Sequence, residues 1–322
     1  MLSAFTTAVA HRASFLADCD DAQTDCYRLL HGTVEGVPGV AVDRYGPVLL
    51  VQTWREPLGP EVLDALVEHA SAAVGTPLQG VHNHRARPVD FERWHPLADP
   101  PIAQGKEAGL AFDVSPRHRG RDPLLFLDLR HVRRRVRAEA DGHDVLNLFA
   151  YTCGVGVAAA AGGAASVLNV DFARSALTIG ERNAARNGLA FDTLPQDCFP
   201  VMRQLAGLKV GRGGAYQRMA PRTFGLVILD PPRRATSRFG TVDLMRDYPS
   251  VFKPALLSTA PGGVIVATNN LASVDLDDWV DILKRCANKA GRPLRSIEIM
   301  TPDPDFPSPD DRHPLKVAWC GV

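Results

Sequence analysis

No stretch of the 322-residue chain is long and apolar enough to cross a bilayer as a helix, which excludes an ordinary transmembrane span. The six cysteines, Cys19, Cys26, Cys153, Cys198, Cys286 and Cys320, form no C-x-x-C pair. Their scatter argues against a zinc site and against a disulfide framework, so a reducing cytoplasm is the expected setting. Charge of one sign is also missing: 36 basic and 36 acidic residues cancel. Nucleic-acid binders often carry a basic excess, so this balance counts against one until the distribution is considered. There is no internal repeat and no low-complexity tract. The N-terminus has no basic leader, and His11, Arg12 and Asp18 interrupt it, so residues 1–26 are expected to form an amphipathic helical segment, not a signal peptide.

What is present is a globular composition, 45% hydrophobic and 22% charged, with length enough for two domains. Residues 27–54 read as strands separated by turns at Gly36, Pro38, Gly39, Gly46 and Pro47. A helix over about 59–74 follows, then "GVHNHRAR", the Pro-rich "WHPLADPPIAQ" and "AGLAFDVSP". This predicts a small α/β domain over 27–116. His82 and His84 share one face at strand spacing, but no third metal ligand is evident, and a surface strand is the expectation. Residues 117–142 form a linker rich in arginine: Arg117, Arg119, Arg121, Arg130, Arg133, Arg134, Arg135 and Arg137. Such a run is either a solvated helix face or a phosphate-contacting surface.

From His143 to the end, short apolar strands alternate with helices: "DVLNLF", "ASVLNVD", "FDTLPQDC", "FGLVILDPP" and "GGVIVATNN". That grammar predicts a doubly wound, mostly parallel Rossmann-like α/β sheet. "LRSIEIM" and "LKVAWCGV" are expected to pair antiparallel at its edge, giving seven strands. The Gly/Arg-rich segment 205–222 is too long for a tight connection and reads as a surface loop or a lid.

Ligands of open α/β sheets bind beyond the carboxyl ends of the strands. Here Asp171, Asp197 and Asp230 recur at successive strand ends. Gly154, Gly156 and Ala159 satisfy G-x-G-x-x-A, so a dinucleotide is a legal reading, but the same geometry serves any nucleoside over the first turn. A nicotinamide enzyme needs a hydride-transfer partner, and "ILDPP" followed by "ATNN" offers none.

The stretches "VLNLFAYTCGVGVAAAAGGAASVLNVD", "LDPP" and "TNN" resemble class I S-adenosylmethionine (SAM)-dependent methyltransferases, in particular the ribosomal-RNA large-subunit group. Upstream, "YRLLHGTVEGVPGVAVDRYG" and "LFLDLRHVRR" are similar to the small domain and linker of the cytosine-5 members, so the likeness covers nearly the whole chain from Tyr27. It implies that Asn147, Phe149, Ala150, Tyr151, Thr152 and Gly154 cradle the methionine part of SAM. Asp171 would hold the ribose hydroxyls, Phe172 would pack on the adenine, and Asp197 and the Cys198 backbone would meet its edge. Asp128 and Arg130 would close over the cofactor's carboxylate end. On the acceptor side it implies Asp230 and Asn269 as catalytic groups, with Pro231, Pro232, Arg233, Asn270, Phe306 and His313 binding the base. No metal is implied. The partner is RNA, and the small domain would dock it through phosphates.

Three departures carry information. The cytosine-5 members usually begin with a PUA RNA-binding domain, for which the residues before Tyr27 are too few. Their T-G-G is Thr152-Cys153-Gly154 here, with Cys153 expected as a tolerated small residue. Carbon-5 of a pyrimidine needs a cysteine thiolate added at carbon-6, yet the position after the fifth strand reads "VATNNLAS". Asn269-Asn270 and the tail "DPDFPSPDDRHPLKVAWC" instead resemble the guanine-N7 enzymes of the same group. The expectation is therefore an RNA methyltransferase favouring guanine N7. 5-Methylcytosine formation, a catalytically silent RNA-binding protein and a nucleotide-dependent oxidoreductase stand as alternatives.

Overall fold

The computed structural model describes residues 1–85, 91–92, 103–115, 123–210, 216–237, 240–243 and 247–322. Arg117, Arg119 and Arg121, most of the Pro-rich stretch, the expected boundary at Pro116 and residues 211–215 of the expected surface loop or lid lie outside them. The chain divides into two compact units, Met1–Arg130 with Pro302–Asp311, and His131–Thr301 with Arg312–Val322.

In the first unit, α1 (Leu2–His11) and α2 (Ala13–Asp21) precede β1 (Cys26–His31), β2 (Val40–Tyr45) and β3 (Val48–Thr53). Helix α3 (Pro60–Val74), β4 (Gln79–His84) and β5 (Phe91–Glu92) complete one sheet in the order β1-β2-β3-β4-β5. Only β3 and β4 run parallel, joined by α3 as a crossover. Helix α3 begins with Pro60 and ends at Gly75, whose φ of 65° provides the left-handed stop. A separate hairpin pairs β6 (Ala103–Glu107) with β7 (Leu110–Val114). The core joins Phe5 and Ala8 of α1, Leu63 and Leu66 of α3, and Leu29, Val42, Leu49 and Val51 of the sheet.

His82 is not on the surface. It is fully buried, and the Thr53 hydroxyl lies 3.0 Å from its Nε2 and 2.9 Å from His84 Nδ1. Thr53 thus supplies the hydrogen-bond partner that a buried imidazole needs.

The acidic segment 302–311 belongs with this unit because of Arg130. That guanidinium is 5% exposed and donates to Asp303 Oδ2 at 2.8 Å, to Asp305 and to Cys26 O at 3.0 Å. Asp305, fully buried, also accepts from the Arg28 N–H at 2.9 Å. A buried carboxylate needs such partners, and together they draw the segment in.

The second unit opens on α4 (Arg130–Glu139), then β8 (Asp144–Leu148), α5 (Gly154–Ala161), β9 (Ser166–Asp171), α6 (Arg174–Arg186), β10 (Asp192–Pro195) and α7 (Cys198–Leu205). There follow β11 (Phe224–Leu229), β12 (Arg234–Ser237), β13 (Gly240–Asp243), α8 (Pro249–Leu257), β14 (Thr259–Asn269), α9 (Leu276–Lys289), β15 (Ser296–Met300) and β16 (Lys316–Gly321). Seven strands form one sheet in the order β10-β9-β8-β11-β14-β16-β15. The first five are parallel, and the last two form the antiparallel edge. The expected fold class is the observed one. The pairing of β12 with β13 directly after "LDPPR" is an addition to it.

Of the described arginines in the run, Arg134 is exposed, whereas others are packed. Arg133 is 3% exposed, and Arg135 pairs with Glu139 and Glu298 while its guanidinium lies 4.2 Å from the Trp319 ring centre. Packing against carboxylates and aromatic rings absorbs much of this charge. No helix among the described residues is long and apolar enough to cross a membrane.

Candidate functional site

Strand β8 lies at the middle of the sheet, with β9 and then β10 on one side and β11 and β14 on the other. The connections leave its carboxyl end in opposite directions, which opens a crevice there. The loop into that crevice has unusual backbone geometry: Phe149, Tyr151 and Cys153 take φ of 59°, 49° and 58°. Each non-glycine residue in this left-handed region costs about 1–2 kcal/mol, so the surroundings must impose it.

They do so through the two neighbouring strand ends. The Phe149 N–H donates to Cys198 Sγ at 3.3 Å, and the Ala150 N–H to Val170 O at 3.0 Å. The Tyr151 N–H donates to Asp171 Oδ2 at 2.9 Å, and the Cys153 N–H to Ala150 O at 2.8 Å. Every second residue from 149 to 153 is left-handed, and the N–H groups of 149, 150, 151 and 153 are all taken up by these protein acceptors, which fixes the shape of the loop. Cys153 then caps α5, and Gly154 is its first residue.

Two close approaches hold the loop from behind. A Cβ on Gly156 would lie 2.1 Å from Asn169 Oδ1, so only glycine fits there. Asn169 in turn accepts from Asn147 Nδ2 at 2.8 Å, and both amides are buried. Asn147 therefore supports the loop from within the sheet. A Cβ on Gly180 of α6 would lie 2.4 Å from Cys153 Sγ, so the absence of a side chain at 180 makes the slot that Cys153 fills.

Asp171, 7% exposed, also accepts from the Ala173 N–H at 2.8 Å. Burial raises its carboxyl above the ordinary value, partly offset by hydrogen bonds from Ala173, Tyr151 and Phe172. The adjoining Phe172 ring is 76% exposed, which is rare for a phenyl group. At the end of β10, Asp197 caps α7 through the Phe199 N–H at 2.9 Å. The buried Gln196 Oε1 beside it accepts no hydrogen bond from the described residues.

On the other side of the crevice, Asp230 accepts from the Thr268 hydroxyl. The Thr268 carbonyl takes the buried Tyr248 hydroxyl at 2.8 Å. Asn269 Oδ1 accepts from the Leu271 N–H at 3.0 Å, and Lys316 Nζ donates to Leu271 O at 2.8 Å and Pro314 O at 3.3 Å. The Leu271 peptide is thus gripped from both ends. Burial lowers the Lys316 pKa. Pro231 is buried, Pro232, Arg233 and Asn270 are exposed, and His313 is half-buried.

Three expected site residues sit in the first unit. Arg130, expected at the cofactor's carboxylate end, is engaged by Asp303 and Asp305. Phe306, expected to bind the base, packs edge-on against His31, with the Arg28 guanidinium 4.6 Å from its ring centre. Asp128 is half-buried in a short 3-10 turn, Leu127–Leu129. The pattern reading missed Thr268, Tyr248, Lys316 and Gln196. Lys316 had left a signal, as the one charge in the apolar terminal strand "LKVAWCGV".

A family model for S-adenosylmethionine-dependent methyltransferases matches residues 27–319. The chain belongs to that family. SAM is accordingly its cofactor, and methyl transfer is its reaction. A ribosomal RNA large subunit methyltransferase of Deinococcus radiodurans is 30% identical over 316 residues, 92% of this chain and 72% of that protein. Ribosomal RNA large subunit methyltransferase I of Shewanella amazonensis is 29% identical, over 87% of this chain and 70% of its own. The fold matches the crystal structure of SMU.776 complexed with SAH, with a TM-score of 0.81 at 22% identity, over 99% of this chain and 80% of that one. In the present chain Cys153 takes the left-handed position where glycine was expected, and Gly180 makes room for its side chain.

Proposed function

We propose that this methyltransferase modifies a base of large-subunit ribosomal RNA, at a ring nitrogen of guanine, N7. The names of the two relatives support the RNA substrate. The observation that carries the choice of atom is the state of the thiols, beside an acceptor side built on Asp230, Thr268 and Asn269. All six cysteines are free and buried. Burial pushes Cys19 and Cys320 up to about 12 and raises Cys26, Cys153, Cys198 and Cys286. None is a ready thiolate for covalent activation of a pyrimidine.

When bound, SAM supplies an electrophilic methyl group on a sulfonium sulfur. The loop 149–154 and Asp171 would hold its methionine and ribose parts, and Phe172 its adenine. Asp197, with the orphan acceptor Gln196 Oε1, suits the adenine amino edge. Guanine N7 has an in-plane lone pair and needs no covalent adduct, so the work of the residues is orientation. Asp230, held by Thr268, and the amides of Asn269 and Asn270 would read the base edge, while Pro231, Pro232, Arg233 and His313 border it. A base within a paired helix must be flipped out to reach them. A ribosomal substrate entails a cytoplasmic site of action.

Mass mapping of ribosomal RNA from a deletion strain tests this. One guanine should lose a methyl group, and an unchanged map refutes the reading. A covalent adduct with 5-fluoropyrimidine RNA would instead establish the carbon-5 reaction.

A further inference from the structure

The two edges of the seven-stranded sheet differ. At one, β10 is four residues long and closes on Pro195, which has no N–H to offer a further strand. At the other, β15 reads Ser-Ile-Glu-Ile-Met, with neither lysine nor proline, and among the described residues it pairs with β16 alone. Its outer row of backbone groups is therefore open to another strand. Ile297 and Ile299 share one face of β15, and Ile299 is 39% exposed. Glu298 belongs to the other face, where it pairs with Arg135.

The two isoleucines line a groove between β15 and α9, whose apolar floor Leu276, Val280 and Leu294 complete. The topology orders the charges along it. Strands β14 and β15 both run antiparallel to β16, so they are parallel to each other, and α9, which joins them, runs back the opposite way. Asp277, at the amino end of α9, therefore borders the groove at the carboxyl end of β15, beside Ile299, and Arg295 borders it at the amino end. Lys284, between them, has Asp281 at 3.8 Å, whereas Asp277 and Arg295, both exposed, enter no ion pair among the described residues. A two-fold axis across β15 reverses the groove end for end. It brings Asp277 of one copy to Arg295 of the other and sets Ile297 and Ile299 beside their counterparts. An apolar centre with an acid at one end and a base at the other is complementary to itself.

We propose that two copies of this chain associate through β15 and the α9 groove, with the two β15 strands antiparallel and the sheet continuous across the dimer. Sedimentation of the full chain across the micromolar range should show a mass rising from 34.8 kDa to twice that value. Ile299→Lys places a charge at an edge position that is already exposed. It should weaken association about tenfold or more and leave Tm and SAM affinity by calorimetry unchanged. Asp277→Arg should also weaken association, by setting like charges together, and adding Arg295→Asp to it should restore the parental affinity. A parent that stays at 34.8 kDa throughout overturns the proposal. So does a dimer that Ile299→Lys leaves as tight as before, because its interface then lies elsewhere. A double swap no tighter than Asp277→Arg alone overturns the two-fold arrangement.

Discussion

Gly180→Ala perturbs the loop 149–154 from behind. The added methyl group would lie 2.4 Å from Cys153 Sγ, 2.7 Å from its Cβ and 3.1 Å from Thr152 O. Alanine is the better helix former by about 1 kcal/mol. Overpacking costs about 1–3 kcal/mol, and here it is near the upper end because Cys153 is fully buried and its backbone is pinned. The net loss should be about 1–2 kcal/mol, or about 2–8 °C in Tm for a unit of this size. Cys153→Gly removes the sulfur and relieves the left-handed φ of 58°. In that background Gly180→Ala meets only Thr152 O, so its effect should fall to within about 0.5 kcal/mol of zero. Thermal unfolding of the four proteins of this double-mutant cycle measures the coupling, and SAM titration reports any displacement of the loop. A Gly180→Ala protein as stable as its parent would refute the reasoning, as would an equal loss in both backgrounds.

Two further outcomes follow from the same structure. Phe172→Ala should leave Tm unchanged, because the ring is already exposed, and weaken SAM binding about two- to tenfold through lost stacking; an unchanged Kd counts against its adenine role. His31 is held neutral in the folded state, its pKa lowered to about 4 by burial and by the Arg28 guanidinium, whose Nη1 lies 3.0 Å from Nδ1. The unfolded chain takes up that proton below pH 6.5, so stability should fall by about 3 kcal/mol as pH drops from 6.5 to 4. His31→Gln should flatten that slope in urea titrations, and an unaltered slope would exclude His31 as its source.

The central sheet was legible because each strand is a short apolar run closed by a polar or small residue, and the period change at His143 separates the two grammars. The edge hairpin of β15 and β16 was legible for the same reason. The fate of residues 302–311 was not, because an acidic Pro-rich stretch has the composition of a surface loop. Its burial depends on Arg130 and Arg28, far away in sequence. In the arginine run, charge counts carry no information about which guanidinium groups find carboxylates, as Arg130 and Arg135 do. The strand-end carboxylates were visible, but the groups that hold them were not. Thr268 and Tyr248 look like ordinary core residues until pairing brings them to Asp230.

Residues 302–322 complete both units at once. The segment 302–311 brings Asp303 and Asp305 to Arg130, and β16 inserts between β14 and β15. During synthesis the first unit therefore emerges with a buried-site cation lacking its counter-charges, and the seven-stranded sheet emerges with a gap one strand wide. Neither half of the molecule can reach its final hydrogen bonding until residues 302–322 have left the ribosome. Residues 302–322 thus supply counter-charges to one unit and a strand to the other.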